Sequence, residues 1–304
     1  MCKYSNTNMT ISIIIINYNT HQLTKECIDS IVEKTKGVDY EIIVVDNAST
    51  DGSQEILASD KRIKFIEAGE NLGFGKANNL GVKNSQGEYI FFLNSDTYLV
   101  NNAIYELWKF SEEHKDEKIG AVGCILTGRD GNRCHSYAKL PTAGRILKSY
   151  LVAPFYKSVA RSIMAIDSEE ESASSFQVGY VTGADIFVKR DVLDECRAFD
   201  PDFFMYSEES EMQHRFKKNG YRNLIIKTPK IVHLEGMSQA KKPKPTMRKI
   251  IMTQSSLYIY VKKTQSAMVY KLFRMAFFFV RIPFLLLSKY TLNEKKQYLK
   301  MLLG

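Results

Sequence analysis

Cysteine is scarce and unpaired. The five cysteines of the 304-residue chain, Cys2, Cys27, Cys124, Cys134 and Cys196, are odd in number and nowhere adopt metal-ligand spacing. This argues against a disulfide framework and a cysteine-based metal module, and for reduced thiols in a cytosolic setting. Long apolar runs are also missing. No uninterrupted segment reaches the roughly 20 residues of a spanning helix, and the nearest, residues 275–287, contains Arg281 and Pro283. Residues 1–10 are polar and lack the basic-then-apolar order of a secretory leader, so the folded region that follows is expected in the cytoplasm. A Gly-x-Gly-x-x-Gly turn does not follow the first apolar strand, where Ile16 leads into Asn17-Tyr18-Asn19-Thr20; this argues against a nicotinamide oxidoreductase. The net charge of +8 is modest for the length and does not call for nucleic acid as a partner. The positive excess lies after Lys217.

What is present is organised around residues 89–97, Tyr-Ile-Phe-Phe-Leu-Asn-Ser-Asp-Thr. An apolar run of strand length ends abruptly in Asn94, Ser95 and Asp96, so a buried strand delivers a carboxylate to the open end of a sheet. Ligands of α/β proteins bind there. The design repeats at residues 41–46, which end in Asp46, and at residues 11–20, which end in Asn17-Tyr18-Asn19-Thr20. The strand at residues 11–16, apolar save for Ser12, is expected to be central, parallel and covered on both faces. Leu23, Cys27, Ile28 and Ile31 recur at helical spacing between Thr20 and Thr35, which predicts a crossover to a strand at 42–45. Ser49 or Thr50 could cap a short helix over 54–58, and residues 63–66 read as a third strand.

Residues 71–79 read Asn-Leu-Gly-Phe-Gly-Lys-Ala-Asn-Asn. A helix starting near Phe74 would offer its first N–H groups to a phosphate or sugar hydroxyl, with Asn71, Gly73, Phe74, Lys76 and Asn78 around it. A plain strand-to-helix turn explains the glycines equally well. A helix over 101–114 and a strand over 120–126 continue the βα alternation. Residues 141–176 are looser: a basic amphipathic stretch precedes an acidic, serine-rich link at 168–175, either a lid over a substrate or a surface insertion. A strand over 180–188 is interrupted at Gly183, and Glu208, Glu209 and Glu211 open a helix that ends at Asn219-Gly220. Short strands at 224–226 and 231–233 follow.

Taken together, Asp46, Asn94-Ser95-Asp96, the Glu208-Glu209 pair and His233 before Gly236-x-Ser238 resemble the family 2 glycosyltransferases of GT-A fold. Asn71-Leu-Gly-Phe-Gly, Thr182-Gly-Ala and Phe199-Asp-Pro-Asp-Phe-Phe-Met-Tyr are similar to that family too, especially to its bacterial rhamnosyltransferase-like branch. The resemblance covers roughly residues 10–238. It implies a mixed, Rossmann-like α/β sheet flanked by helices: a catalytic domain at 1–240, with a nucleotide-binding half at 10–100 and an acceptor-binding half at 101–240, and a helical extension at 241–304.

The resemblance further implies an inverting enzyme. Asp96, with His233, would hold a divalent Mg²⁺ or Mn²⁺ ion that neutralises a leaving diphosphate. Asn94 stands where the family's Asp-x-Asp signature has its first aspartate. Asp46 would accept the ring N–H of a pyrimidine, favouring a UDP- or dTDP-sugar, with Tyr18 and Asn19 near the base or ribose. Glu209 matches the base position, with Glu208 and Glu211 as substitutes; three acids in a helix's first turn would also be favoured by the helix dipole alone. Gly183 and Asp185 fall on the acceptor side. A non-catalytic sugar-binding scaffold is the rival reading, and loss of Asp96 or of every acid at 208–211 would mark it; all are present.

Beyond Ser238 the chain turns basic, and a helix over 247–263 is expected to pack on the core. Residues 268–303 mix seven cations, from Lys271 to Lys300, with Phe273, Phe277, Phe278, Phe279 and Phe284. Such a helix can lie in a membrane interface, anchoring without spanning; its apolar face could instead cover the core or a second subunit of a homo-oligomer. The expected acceptor is a lipid-linked or oligosaccharide glycan, met at the inner face of the cell membrane.

Overall fold

The computed structural model describes residues 10–165, 173–234 and 245–304. Expectations for the polar N-terminus, most of the acidic serine-rich link, the Gly236-x-Ser238 element and the cluster of Lys241, Lys242 and Lys244 lie outside the described residues.

The chain opens with β1 (Ile11–Asn17), α1 (His21–Lys34), β2 (Tyr40–Asp46), α2 (Ser53–Ala58), β3 (Lys64–Glu67), α3 (Phe74–Lys83) and β4 (Tyr89–Asn94). It continues through β5 (Thr97–Leu99), α4 (Ala103–Glu113), β6 (Ile119–Cys124), β7 (Tyr137–Ala138), α5 (Ala143–Val152) and α6 (Lys157–Ser162). Next come β8 (Ser175–Val178), β9 (Tyr180–Val181), β10 (Asp185–Lys189), α7 (Arg190–Cys196), α8 (Glu208–Lys218), β11 (Arg222–Ile226) and β12 (Ile231–His233). Three helices close the chain: α9 (Met247–Thr264), α10 (Ala267–Leu287) and α11 (Leu292–Leu303).

Eight strands form one mixed sheet in the order β3-β2-β1-β4-β10-β6-β11-β8. The first four are parallel, as strands joined by helical crossovers must be. β10 runs antiparallel to both β4 and β6. The expectation for β1 holds in detail: Ile11, Ile13 and Ile15 enter the core on one face of the sheet and Ile14 the core on the other, all fully buried. Each such side chain contributes about 1.5–3 kcal/mol by leaving water. A two-stranded antiparallel ribbon pairs β5 with β12 and sets His233 opposite Thr97.

Three expectations are corrected. Neither Ser49 nor Thr50 caps α2, which starts after Gly52 in a left-handed conformation, while the Asp51 carboxylate accepts the Ser53 N–H at 3.1 Å. Residues 143–152, expected to be part of a loose stretch, are regular. They are α5, capped by Thr142, with Ala143 and Ile146 buried in one cluster with Phe273 and Phe277. Residues 268–303 form two helices rather than one. α11 folds back along α10, with Arg281 Nε donating to the Tyr298 hydroxyl at 2.6 Å and an Arg274 guanidinium N–H donating to the Leu302 carbonyl at 3.1 Å. Pro283 sits inside α10 without ending it. Among the described residues no helix is long and apolar enough to cross a membrane.

Candidate active site

The register of the parallel strands brings their polar ends level. Asn17 lies opposite Asp46, and Ile16 lies opposite Asn94. Asn17, fully buried, ties this edge together. Its amide donates to Asp46 Oδ1 at 2.7 Å and to Ser49 Oγ at 3.0 Å, and its carbonyl oxygen accepts from the hydroxyls of Thr20 and Thr24 at 3.1 and 2.7 Å. Asp46 is buried behind it. Its second oxygen accepts from the Ser49 N–H at 3.0 Å and from Gln54 Nε2 at 3.2 Å. The hydroxyls of Ser95 and Thr20 meet at 3.3 Å. Tyr18, 48% exposed, and Asn19 stand in front; the side-chain oxygen of Asn19 accepts the Thr50 N–H at 2.7 Å. Asn19 and Ala48 take φ of 55° and 63°. Left-handed backbone at non-glycine residues concentrates at functional sites, where surrounding contacts hold it.

Asn47 joins this edge to α3. Its amide nitrogen donates to Asn71 Oδ1 at 3.2 Å and to the Gly73 carbonyl at 3.3 Å, and its oxygen accepts the Leu72 N–H at 2.8 Å. The glycines of α3 serve packing. A Cβ on Gly73, whose φ is 78°, would lie 2.1 Å from the Phe204 carbonyl oxygen, and one on Gly75 would lie 2.9 Å from Phe199 Cβ. The Phe74 N–H, which the sequence reading offered to a phosphate, donates instead to the Phe204 carbonyl at 2.9 Å. Asn78 is buried and bonds back to the Phe74 carbonyl at 3.0 Å, whereas Lys76 is exposed on the first turn. Gly183 packs under the Phe74 ring.

Asp96 and His233 meet through the β5–β12 ribbon. Asp96 Oδ1 lies 3.2 Å from His233 Nε2, and the Asn94 amide lies 3.5 Å from the same ring nitrogen. Both side chains are largely buried. A divalent ion such as Mg²⁺ or Mn²⁺ keeps water and phosphate oxygens as ligands and needs only one or two protein groups. The convergent carboxylate and imidazole fit that requirement. Among the described residues no cluster of three or more metal-ligating side chains occurs, so such an ion would depend on the diphosphate for further ligands.

The acids at 208–211 divide by environment. Tyr206 and Ser207 both adopt left-handed backbone, with φ of 75° and 68°, and turn the chain into α8. Left-handed geometry costs an L-residue about 1–2 kcal/mol. Glu208 is buried, and its Cβ lies 3.8 Å from the point where Gly75 would carry one. Its Oε2 has no hydrogen-bond partner among the described residues, and burial, reinforced by the neighbouring Glu209 charge, pushes its carboxyl up to about 8. Burial also raises Glu209. Glu211 points elsewhere: both its oxygens accept from Arg215 Nε at 3.0 Å, a structural ion pair within α8. Asp185, expected on the acceptor side, is fully buried, and its Oδ2 accepts the Cys124 N–H at 2.7 Å; burial lifts its carboxyl to about 7.

Sequence reasoning assigned no role to Asn47 or Asn79. Asn79 makes a two-way bond with the Phe199 backbone, donating to its carbonyl at 2.7 Å and accepting its N–H at 3.0 Å. The one available signal was asparagine recurring at strand ends and in the first turns of helices.

Residues 12–163, half of the chain, match the model of glycosyl transferase family 2. Over 115 residues the chain is 41% identical to the poly(ribitol-phosphate) beta-glucosyltransferase of Bacillus spizizenii, a match covering 36% of this chain and 18% of that protein. The chain therefore spans under a fifth of that relative's length. Over 214 residues it is 24% identical to the N-acetylglucosaminyl-diphospho-decaprenol L-rhamnosyltransferase of Mycobacterium tuberculosis, covering 66% of this chain and 69% of that one. A mannosyltransferase from Pyrobaculum calidifontis, solved with GDP-Man and Mn²⁺, superposes with a TM-score of 0.56 at 19% identity, covering 91% of this chain and 71% of that one. With the sheet, its level polar edge and the family match in agreement, the chain belongs to glycosyl transferase family 2.

Proposed function

We propose that this chain is an inverting glycosyltransferase that moves a hexose, with rhamnose and galactose the first to test, from a uridine or thymidine diphosphate to a lipid-linked or surface-polysaccharide acceptor. The observation that carries the reading is the pairing of Asp96 with His233 at 3.2 Å beyond the end of β4; the Glu208–Glu209 corner, packed against the start of α3, supplies the second acidic group.

In this reading Glu209 takes the proton of the acceptor hydroxyl as that oxygen bonds to the anomeric carbon. The bond from that carbon to the diphosphate oxygen breaks, and the nucleoside diphosphate leaves with the electron pair. Burial raises the Glu209 carboxyl above its ordinary value, the direction that strengthens it as a base. Asp96 and His233 would hold a divalent ion such as Mg²⁺ or Mn²⁺, which would supply positive charge for the leaving diphosphate. The similar mannosyltransferase was solved with Mn²⁺, in keeping with this assignment.

Pyrimidine recognition rests on Asp46. Its carboxylate is occupied by Asn17, Ser49 and Gln54, of which Gln54 at 3.2 Å is the longest bond, so the ring N–H exchanges with the Gln54 amide. The acceptor class draws on the mycobacterial relative, named for N-acetylglucosaminyl-diphospho-decaprenol. A membrane surface suits such an acceptor, and the outer face of α10 suits a membrane: Met268, Leu272, Met275, Phe279 and Leu286 are exposed on a helix that carries no acid.

Titration calorimetry with UDP, dTDP and GDP, with and without Mn²⁺, tests the reading. Mn²⁺-dependent binding of one pyrimidine diphosphate, lost on Asp46→Ala and Asp96→Ala, is the expected result. Folded protein that binds none of the three would overturn it and leave a non-catalytic scaffold.

A further inference from the structure

The corner that carries the two glutamates is held from outside the nucleotide-binding half. Tyr206 and Ser207 are consecutive left-handed residues without a glycine, a conformation that persists only where neighbours over-determine it. From the α3 side the Phe74 N–H holds the Phe204 carbonyl at 2.9 Å, and from α8 the Glu211 N–H and the Ser210 hydroxyl hold the Ser207 carbonyl at 2.9 and 3.1 Å. The remaining side is α9. Lys249, Ser256 and Lys263 recur every seven residues and so share one face of that helix. All three meet the segment leading into α8. Lys249 Nζ lies 5.9 Å from the centre of the Tyr206 ring, Ser256 Oγ donates to the Met205 carbonyl at 2.8 Å, and Lys263 Nζ pairs with Asp200 and Asp202 at 2.8 and 2.7 Å. Ser256 is the buried member, and Phe203, two residues before Met205, is fully buried in the helical cluster.

We propose that Ser256 is a positioning residue: its hydroxyl, held on α9, fixes the Met205 carbonyl and thereby the left-handed corner that aims Glu209. The inference rests on Glu209 as the base. The Met205 carbonyl immediately precedes the two strained residues, so its orientation sets the direction in which α8 starts. The lysines at either end of the stripe act on more exposed groups and are screened by water; the buried hydroxyl is not. The donor side of the site, built on the ends of β1, β2 and β4, touches α9 nowhere in this network. Loss of the hydroxyl therefore acts on turnover rather than on donor affinity.

The test follows nucleoside diphosphate release from a panel of uridine and thymidine diphosphate hexoses, with water as the acceptor. In that reaction water bonds to the anomeric carbon, its proton passes to Glu209, and free sugar and nucleoside diphosphate are released. Ser256→Ala is expected to lower kcat by about 10- to 100-fold, the scale of a misplacement near 1 Å, with the donor KM within about threefold of wild type. Ser256→Thr, which keeps the hydroxyl, is expected to retain kcat; it keeps the question answerable if the alanine variant folds poorly. Ser256→Ala turning over at the wild-type rate overturns the proposal, as does a Ser256→Thr protein that is folded and as slow as a folded Ser256→Ala. Glu209→Gln run in parallel separates the two claims. If it is inactive while Ser256→Ala is fully active, only the positioning role fails; if it keeps the wild-type rate, the base assignment fails and this role with it. Wild-type protein that releases no diphosphate from any donor also overturns the role.

Discussion

Asp96 Oδ1 and His233 Nε2 stand 3.2 Å apart although 137 residues separate them in the chain, because β5 and β12 pair antiparallel with Thr97 opposite His233. The ribbon holds the two side chains, so either can be removed without disturbing the large sheet. Asp96→Ala is expected to weaken Mn²⁺-dependent nucleotide binding at least tenfold, since ~10- to 100-fold is the cost even of outer-shell partners. His233→Ala is expected to weaken it less, because a neutral imidazole brings no charge to the ion. Calorimetry against Mn²⁺ and UDP or dTDP reads both, and wild-type affinity in Asp96→Ala would remove the carboxylate from the metal site.

Gly73 offers a sharp test of how α3 joins the loop before α8. A Cβ there would lie 2.1 Å from the Phe204 carbonyl oxygen at a φ of 78°, so Gly73→Ala combines overpacking against backbone with left-handed strain. The expected cost is about 2–4 kcal/mol. Gly52, with φ of 84° and open space around it, is the control: Gly52→Ala carries the strain alone, about 1–2 kcal/mol. Urea unfolding of the two variants checks the difference. Equal destabilisation would mean that the Phe204 carbonyl moves aside freely.

How far the sequence led depends on the range of the contact. Ile11 to Ile16 and Tyr89 to Leu93 are apolar at every position save Ser12 and run into Asn17 and into Asn94-Ser95-Asp96, so strand, burial and polar tip could all be read locally. The contacts that finish the site are long-range. Phe74 meets Phe204, Asn79 meets Phe199, and Ser256 meets Met205, and none of these pairs leaves a periodic trace. The two-helix ending was legible in part: Thr291 and Glu294 form a reciprocal capping box, a four-residue signature that splits 268–303 into two helices. Pro283 marks no boundary, because α10 passes through it with only the proline's missing N–H lost to the helix.

Glu208 predicts how stability changes with pH. Its carboxyl is raised on folding, from 4.5 to about 8, by burial and by the charge of Glu209. Folded protein therefore binds the proton more tightly than unfolded chain does. The resulting stability is fully present below about pH 4.5 and is lost as pH rises through about 8. Glu208→Gln, neutral throughout, is expected to flatten that slope and to gain stability relative to wild type at pH 8. Thermal unfolding across pH 5 to 9 reads the effect, with the wild-type Tm falling more steeply than that of the variant. Parallel curves would show that Glu208 is solvated rather than buried.

The outer face of α10 makes the last prediction. Leu272 is 55% and Phe279 66% exposed, while Phe273 and Phe277 on the opposite face are buried against α5 and α9. One helix thus has two apolar sides, and among the described residues only one is packed. Leu272→Glu with Phe279→Glu should leave Tm nearly unchanged, because neither side chain is in the core. The same pair should abolish flotation with vesicles containing phosphatidylglycerol, by placing two anions where an anionic surface and its acyl boundary meet the helix. Wild-type flotation should weaken in about 1 M salt, where the Debye length shrinks to about 3 Å, since the cations flanking the stripe supply part of the attraction. Flotation of the double variant equal to wild type would assign this face to another role, and a change in sedimentation between wild type and variant would identify that role as contact with a second copy of the chain.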